Sequence, residues 1–172
     1  MKIMDCTLRD GGYINDWRFG RKTICSILDK LERAGLDIIE CGFLTGMVKD
    51  SESSRFDRVG AIRELLAKRQ RISMFVAMIA IGEKELHPVL LEPCDGKSIE
   101  GIRLTFHKME MEKAFEWAKI IMEKGYRVFM QPVGTVFYSD LELLKLVEKI
   151  NRLNPYAFYI VDTLGSMYRN DV

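Results

Sequence analysis

The chain has 172 residues, 48% of them hydrophobic and 30% charged, with a formal net charge of +1, which is ordinary globular composition. Lysine and arginine (26) balance aspartate and glutamate (25), so no charge excess points to nucleic acid or an anionic membrane, and no apolar run approaches the roughly 18 residues of a membrane span. The start leads directly into a strand, without a signal- or transit-peptide pattern; with four cysteines that show no metal-type pairing, this predicts reduced thiols and a cytoplasmic setting.

In chain order, the first predicted strand covers residues 2–6 and runs into Thr7-Leu8-Arg9-Asp10-Gly11-Gly12-Tyr13. The two glycines open a turn in which a ligand can approach the main chain. An aspartate there can hold a hard divalent cation, and the arginine beside it a carboxylate or a developing enolate oxygen. A helix with Ile24, Ile27, Leu28 and Leu31 on one face follows, then a strand at 37–40 ending in Glu40. Ile62, Leu65 and Leu66 mark the next helix, and residues 73–79 the third strand. Residues 83–91, broken by Pro88, read as a short helix. The fourth strand, 101–106, leads to His107; a helix with Ala114, Phe115, Ala118, Ile121 and Met122 precedes the fifth, 127–131. A last helix, with Leu141, Leu144, Val147 and Ile150 as its apolar face, precedes the sixth strand, 157–161. Gly35 and Gly125 stand where helices should end. Cys6 and Cys41 read as small buried residues, and the basic runs at 18–22 and 68–71 as solvated loops and helix ends.

Near-continuous apolar strands alternating with helices imply a parallel sheet with right-handed crossovers. An open doubly wound sheet and a closed barrel both satisfy the pattern. Polar groups favour the barrel, because they gather at strand ends: Arg9 and Asp10, Glu40, His107, Gln131 and Thr135, then Asp162 and Thr163. Active sites of parallel α/β folds lie at these carboxyl ends, and only a closed barrel brings them onto one rim. Eight units need ~250 residues, so the six strands here predict an incomplete barrel, its N-terminal portion, in one domain spanning 1–172. Each candidate also has a plain structural reading. Glu40 can be the buried partner of Arg9, Asp162 can cap the turn after it, His107 can be a loop histidine, and Tyr13 and Trp17 can pack the first loop.

Three segments, Thr7-Leu8-Arg9-Asp10-Gly11, Ile39-Glu40-Cys41-Gly42-Phe43 and Val161-Asp162-Thr163-Leu164-Gly165, resemble in order the signatures of one superfamily. It comprises the metal-dependent aldolases, lyases and condensing enzymes, among them hydroxymethylglutaryl-CoA lyase, isopropylmalate synthase and 4-hydroxy-2-oxovalerate aldolase. The resemblance implies a TIM barrel and carbon–carbon bond cleavage of a 4-hydroxy-2-oxo acid or a 3-hydroxyacyl-CoA through an enolate. It implies that Asp10 ligates a divalent metal (Mn, Mg or Zn), that Arg9 stabilises the enolate, that Glu40 supports this network, and that Asp162 and Thr163 face the substrate. Tyr13 and His107 are the acid–base candidates. Family members complete the metal site with a His-x-His pair on the seventh strand, whereas the histidines here are His87 and His107. This chain alone is therefore expected to hold metal poorly and to be inactive by itself. An acyl-CoA condensing synthase, or a non-catalytic barrel piece acting as an oligomer or binding module, are the competing functions; the raw edges of such a piece are compatible with a homo-oligomer.

Overall fold

The computed structural model describes residues 1–46, 50–67, 69 and 72–168. Strands β1 (Met4–Asp5), β2 (Ile38–Leu44), β3 (Arg55–Phe56), β4 (Met74–Ala80), β5 (Gly101–Phe106), β6 (Arg127–Pro132) and β7 (Ala157–Phe158) form one parallel sheet. Its order is β1-β2-β4-β5-β6-β7, with the two-residue β3 paired beside β2. Every strand on the main path thus neighbours the next one in sequence, the order of a barrel wall. The sheet is curled, an incomplete α/β barrel, as the strand count predicted.

Helices α1 (Thr7–Asp10), α2 (Arg21–Arg33), α3 (Val59–Leu66), α4 (Met111–Glu123) and α5 (Asp140–Leu153) connect the strands. Alternation along the strands separates two cores. Ile39, Phe75, Ile102, Leu104 and Met130 pack outward with Leu28, Ile62, Ala118 and Ile121 of the helices. Ile38, Val76 and Phe129 pack on the concave side with Met4, Met74, Ala157 and Tyr159. Parallel strands buried on both faces read as continuous apolar runs for this reason. Gly35 and Gly125 end α2 and α4 with positive φ (74° and 87°). Each has the paired bonds of a Schellman motif: Gly35 N–H to Glu32 O and Leu36 N–H to Leu31 O, Gly125 N–H to Met122 O and Tyr126 N–H to Ile121 O.

Several expectations need correction. The sixth predicted strand pairs over two residues only, because β6 binds it at Phe129 and Met130 and nowhere higher. Residues 83–91 hold a 3-10 turn, Pro88–Leu90, rather than a helix. β3 was not anticipated, since two residues give no periodicity. Helix α5 buries Leu146 and Ile150, with Leu143 and Leu153 partly covered, and leaves Leu141, Leu144 and Val147 exposed. Met122 of α4 is likewise exposed, and Trp117 is buried instead. Arg69 is no solvated helix end: its side chain is 6% exposed, pairs with Asp29 and Glu32, and bonds the Cys25 carbonyl. Lys68, Gln70 and Arg71 lie outside the described residues. Among those described, no helix is long and apolar enough to cross a membrane.

Candidate active site

The strand-to-helix turn after β1 tightens immediately. Arg9 and Asp10 donate their N–H groups to the Cys6 carbonyl, and Asp5 accepts from the Thr7 N–H and hydroxyl. This winds the Arg-Asp pair into α1. Leu8 is fully buried and anchors the turn, and its carbonyl accepts the Ser54 hydroxyl at 2.6 Å. Trp17 closes the loop from the other side: its indole N–H reaches the Arg9 carbonyl at 2.7 Å. Tyr13 stacks edge-on against that indole at 4.8 Å and is itself exposed.

Arg9 then meets the sheet. Its Nε donates to Glu40 Oε2 at 2.8 Å and its Nη1 to Asp10 Oδ1 at 2.7 Å. Glu40 sits on β2 and is 0% exposed, whereas the Asp10 side chain is 64% exposed. A register shift between Glu40 and Phe43 sets three residues of β2 against two of β4. This bulge brings Phe43 as well as Glu40 to the concave side, where Phe43 packs with Trp17, Met78 and Ala80. Gly42 at its centre has φ 140°, and a Cβ there would lie 1.8 Å from the Ser54 carbonyl oxygen, so the bulge requires glycine.

The other oxygen of Glu40 faces Arg103 of β5, whose Nε lies 3.0 Å from Oε1, an ion-pair distance without full hydrogen-bond alignment. Arg103 is 4% exposed. Its Nη1 lies 3.2 Å from Met4 Sδ and 3.5 Å from Cys6 Sγ, and its guanidinium lies 5.6 Å from the centre of the Tyr159 ring. One buried carboxylate thus bridges two arginines. Burial works against the Arg9 charge, but Glu40 outweighs it and holds the guanidinium protonated more firmly than usual. Burial, with Glu40 adding to it, pushes the Cys6 thiol up. Next to this cluster, at the carboxyl ends of β2 and β4, a cavity of about 440 Å³ is lined by Trp17, Phe43, Thr45, Arg55, Ala80 and Lys84, among others. The Arg55 guanidinium lies over the Trp17 ring at 3.7 Å.

The structure therefore brings Arg9, Asp10 and Glu40 together, with Tyr13 one aromatic contact away. The other candidates bond elsewhere. His107 is exposed and opens a 3-10 turn, its N–H on the Glu110 carboxylate. Asp162 turns back on its own chain, accepting the Ser166 and Met167 N–H groups, which hold its carboxyl below the usual range. The Thr163 hydroxyl accepts the Gly134 N–H. Arg103 lies in mid-strand, where the pattern of polar strand ends does not single it out, although a lone cation inside an apolar parallel strand must find a partner. Among the described residues no group of three or more His, Cys, Asp or Glu side chains could hold a metal ion. Asp10 offers one carboxylate, half engaged by Arg9, so these residues by themselves do not fit a metal centre.

No family model matches the chain. It is 25% identical over 180 residues to the 4-hydroxy-2-oxovalerate aldolase of Chloroflexus aggregans, covering 99% of this chain and 50% of that protein. With the enzyme of the same name from Carboxydothermus hydrogenoformans it shares 26% over 182 residues, covering 100% and 51%. Its fold matches the crystal structure of the N-terminal domain of an aldolase candidate from Bacteroides vulgatus. The TM-score is 0.74 at 25% identity, covering 99% of this chain and 57% of the other. The chain spans about half the length of the curated relatives it matches. These findings bear out the resemblance to the aldolase, lyase and condensing-enzyme superfamily.

Proposed function

We propose that residues 1–172 form one domain, the N-terminal part of the catalytic barrel of a divalent-metal-dependent carbon–carbon lyase or aldolase. It would cleave a 4-hydroxy-2-oxo acid, or a 3-hydroxyacyl-CoA of the same bond pattern, to a carbonyl compound and an enolate. The observation that carries this reading is the Arg9 guanidinium, fixed by the buried Glu40 on one side and by Trp17 through its own carbonyl on the other. A preorganised cation is what a developing enolate oxygen requires, because no solvent or side chain must reorganise as charge grows. Glu40 has both oxygens engaged by arginines, so its role is to orient Arg9 rather than to take a proton. Asp10 is the one metal ligand proposed from these residues, and the remaining ligands would come from groups other than those described. Tyr13 and His107 are the proposed proton carriers, and Asp162 and Thr163 the residues proposed to shape the substrate end after β7. The aldolase name of the relatives supports cleavage over acyl-CoA condensation.

The test is retro-aldol release of a 2-oxo acid from 4-hydroxy-2-oxo acids, measured with and without Mn²⁺ in the protein as its gene encodes it. Removing a preorganised donor costs about 10²–10³ in turnover, so Arg9→Ala should fall by that factor with the fold intact. Unchanged turnover in Arg9→Ala would sink this reading.

A further inference from the structure

Arg103 is not among the groups proposed to meet the substrate, yet its place is unusual. It is almost fully buried, and its one carboxylate partner is shared with Arg9. Its other polar neighbours, Met4 Sδ, Cys6 Sγ and the Tyr159 hydroxyl, are neutral groups, since burial pushes both the Cys6 thiol and the Tyr159 phenol up. We propose that Arg103 is a positioning residue that sets the charge of the site. By sharing Glu40 it leaves the buried cluster with one unneutralised positive charge, which an anionic ligand of the oxo-acid or enolate class completes.

The charges support this by simple arithmetic. Arg9 with Glu40 alone would be a neutral pair, and a neutral pair has little pull on an anion. Adding Arg103 makes the buried cluster two cations and one carboxylate. Asp10 also touches Arg9, but at 64% exposure its charge is screened by water and salt far more than that of a buried group. The cluster is also well placed. Phe43, Met78 and Arg103 are register partners across β2, β4 and β5, so Arg103 stands on the same row as the apolar floor beneath the rim cavity. Buried charges interact through a low effective dielectric, so an anion beside Arg9 would feel the second arginine without touching it.

The identity of the anion, though not the charge balance, rests on the aldolase reading. The probe is therefore oxalate, a planar dianion shaped like the enolate of a 2-oxo acid, titrated calorimetrically without metal. Arg103→Met should weaken oxalate binding by about tenfold or more, and Arg103→Lys should stay within about threefold because the charge is kept. The double variant Glu40→Gln with Arg103→Met leaves Arg9 as the sole charge of the buried cluster and should regain most of the lost affinity. A purely structural role for Arg103 predicts the opposite, since the double variant removes two buried contacts and should bind worse than Arg103→Met. That outcome, wild-type affinity in Arg103→Met, or no oxalate binding by the wild type overturns the proposal. If Arg103→Met loses the wild-type helical circular dichroism, Arg103→Lys decides alone: affinity within threefold supports the proposal, and a tenfold loss overturns it. Oxalate binding with this pattern but no retro-aldol turnover would remove the aldolase reading and leave the charge-setting role standing.

Discussion

Gly12 and Trp17 show how tightly the first loop is built around Arg9. A Cβ on Gly12 would lie 2.1 Å from the indole Cδ1 of Trp17, and that indole donates to the Arg9 carbonyl. Trp17 itself holds a left-handed backbone, φ 59°, which a bulky residue adopts only when its surroundings impose it. Gly12→Ala should push the indole out and destabilise the fold by about 1–3 kcal/mol, the usual cost of overpacking. Urea unfolding with tryptophan emission as readout checks both effects, and an unshifted spectrum with unchanged stability would count against the packing described. Glu40 tests the neighbouring contact. Glu40→Gln leaves two arginines without their shared buried counter-charge, a loss of about 3–5 kcal/mol for broken buried pairs, measurable as a lower urea midpoint at unchanged slope. Arg9, Asp10 and Glu40 were legible in the sequence because chemistry-bearing groups directly after apolar strands stand out. Arg103 was not, because attention to strand ends passes over a charge in mid-strand, and its partner is 63 positions away in a different strand.

At the scale of elements, what could be read depended on how much of each element's pattern was unambiguous. The central strands β4, β5 and β6 lie within a residue or two of their predicted bounds, since runs buried on both faces have no competing interpretation. The bulge in β2 carries the strand to Leu44, beyond the predicted end at Glu40, because a glycine there reads as a break. Helix α5 carries apolar residues on two faces, and periodicity alone could not say which one the sheet would cover. Its N-terminus has a sharper signature. Ser139 and Glu142 form a capping box, with the Ser139 N–H donating to Glu142 at 2.8 Å. The Lys108 ammonium, with help from Ser139, lowers the Glu142 carboxyl to about 2, against an ordinary 4.5. A folded-state value below the unfolded one means stability that is present above 4.5 and is lost as pH falls from there toward 2. The first turn of α5 should therefore fray over that window. The protection factor of the Leu143 amide, which donates to the Ser139 carbonyl, should fall through that window in the wild type, after the intrinsic pH dependence of exchange is divided out, and should lose this step in Glu142→Gln. A step of equal size in that variant would rule out the capping contact as its source.

For the whole molecule, the decisive feature is that the curled sheet stops short of closing. β1 pairs with β2 and β7 with β6, so within the described sheet each has a backbone edge without a strand partner. The open side is narrow, for side chains from the two edges meet across it: Lys2 Nζ donates to the Tyr156 hydroxyl at 2.5 Å, and the Tyr159 hydroxyl reaches Met4 Sδ at 3.7 Å. Nearer the end of the chain, Leu141 and Leu144 of α5 are 61% and 67% exposed, and Ile160 after β7 is 56% exposed. Unpaired strand edges recruit strands from other chains, and clustered exposed apolar side chains recruit other surfaces. The 172-residue chain by itself should therefore self-associate in a concentration-dependent way, seen as a rising weight-average sedimentation coefficient from low to high micromolar protein. The two causes separate by substitution. Leu141→Lys with Leu144→Lys removes the helix face and leaves the edges intact, whereas Ile160→Lys places a charge beside the β7 edge, the device natural edge strands use to stay unpaired. Because backbone pairing does not saturate on an apolar patch, Ile160→Lys should reduce association more than the double helix variant does. The reverse ranking would assign association to α5, and a monomer at every concentration would show that neither the sheet edges nor the α5 face recruits a second copy.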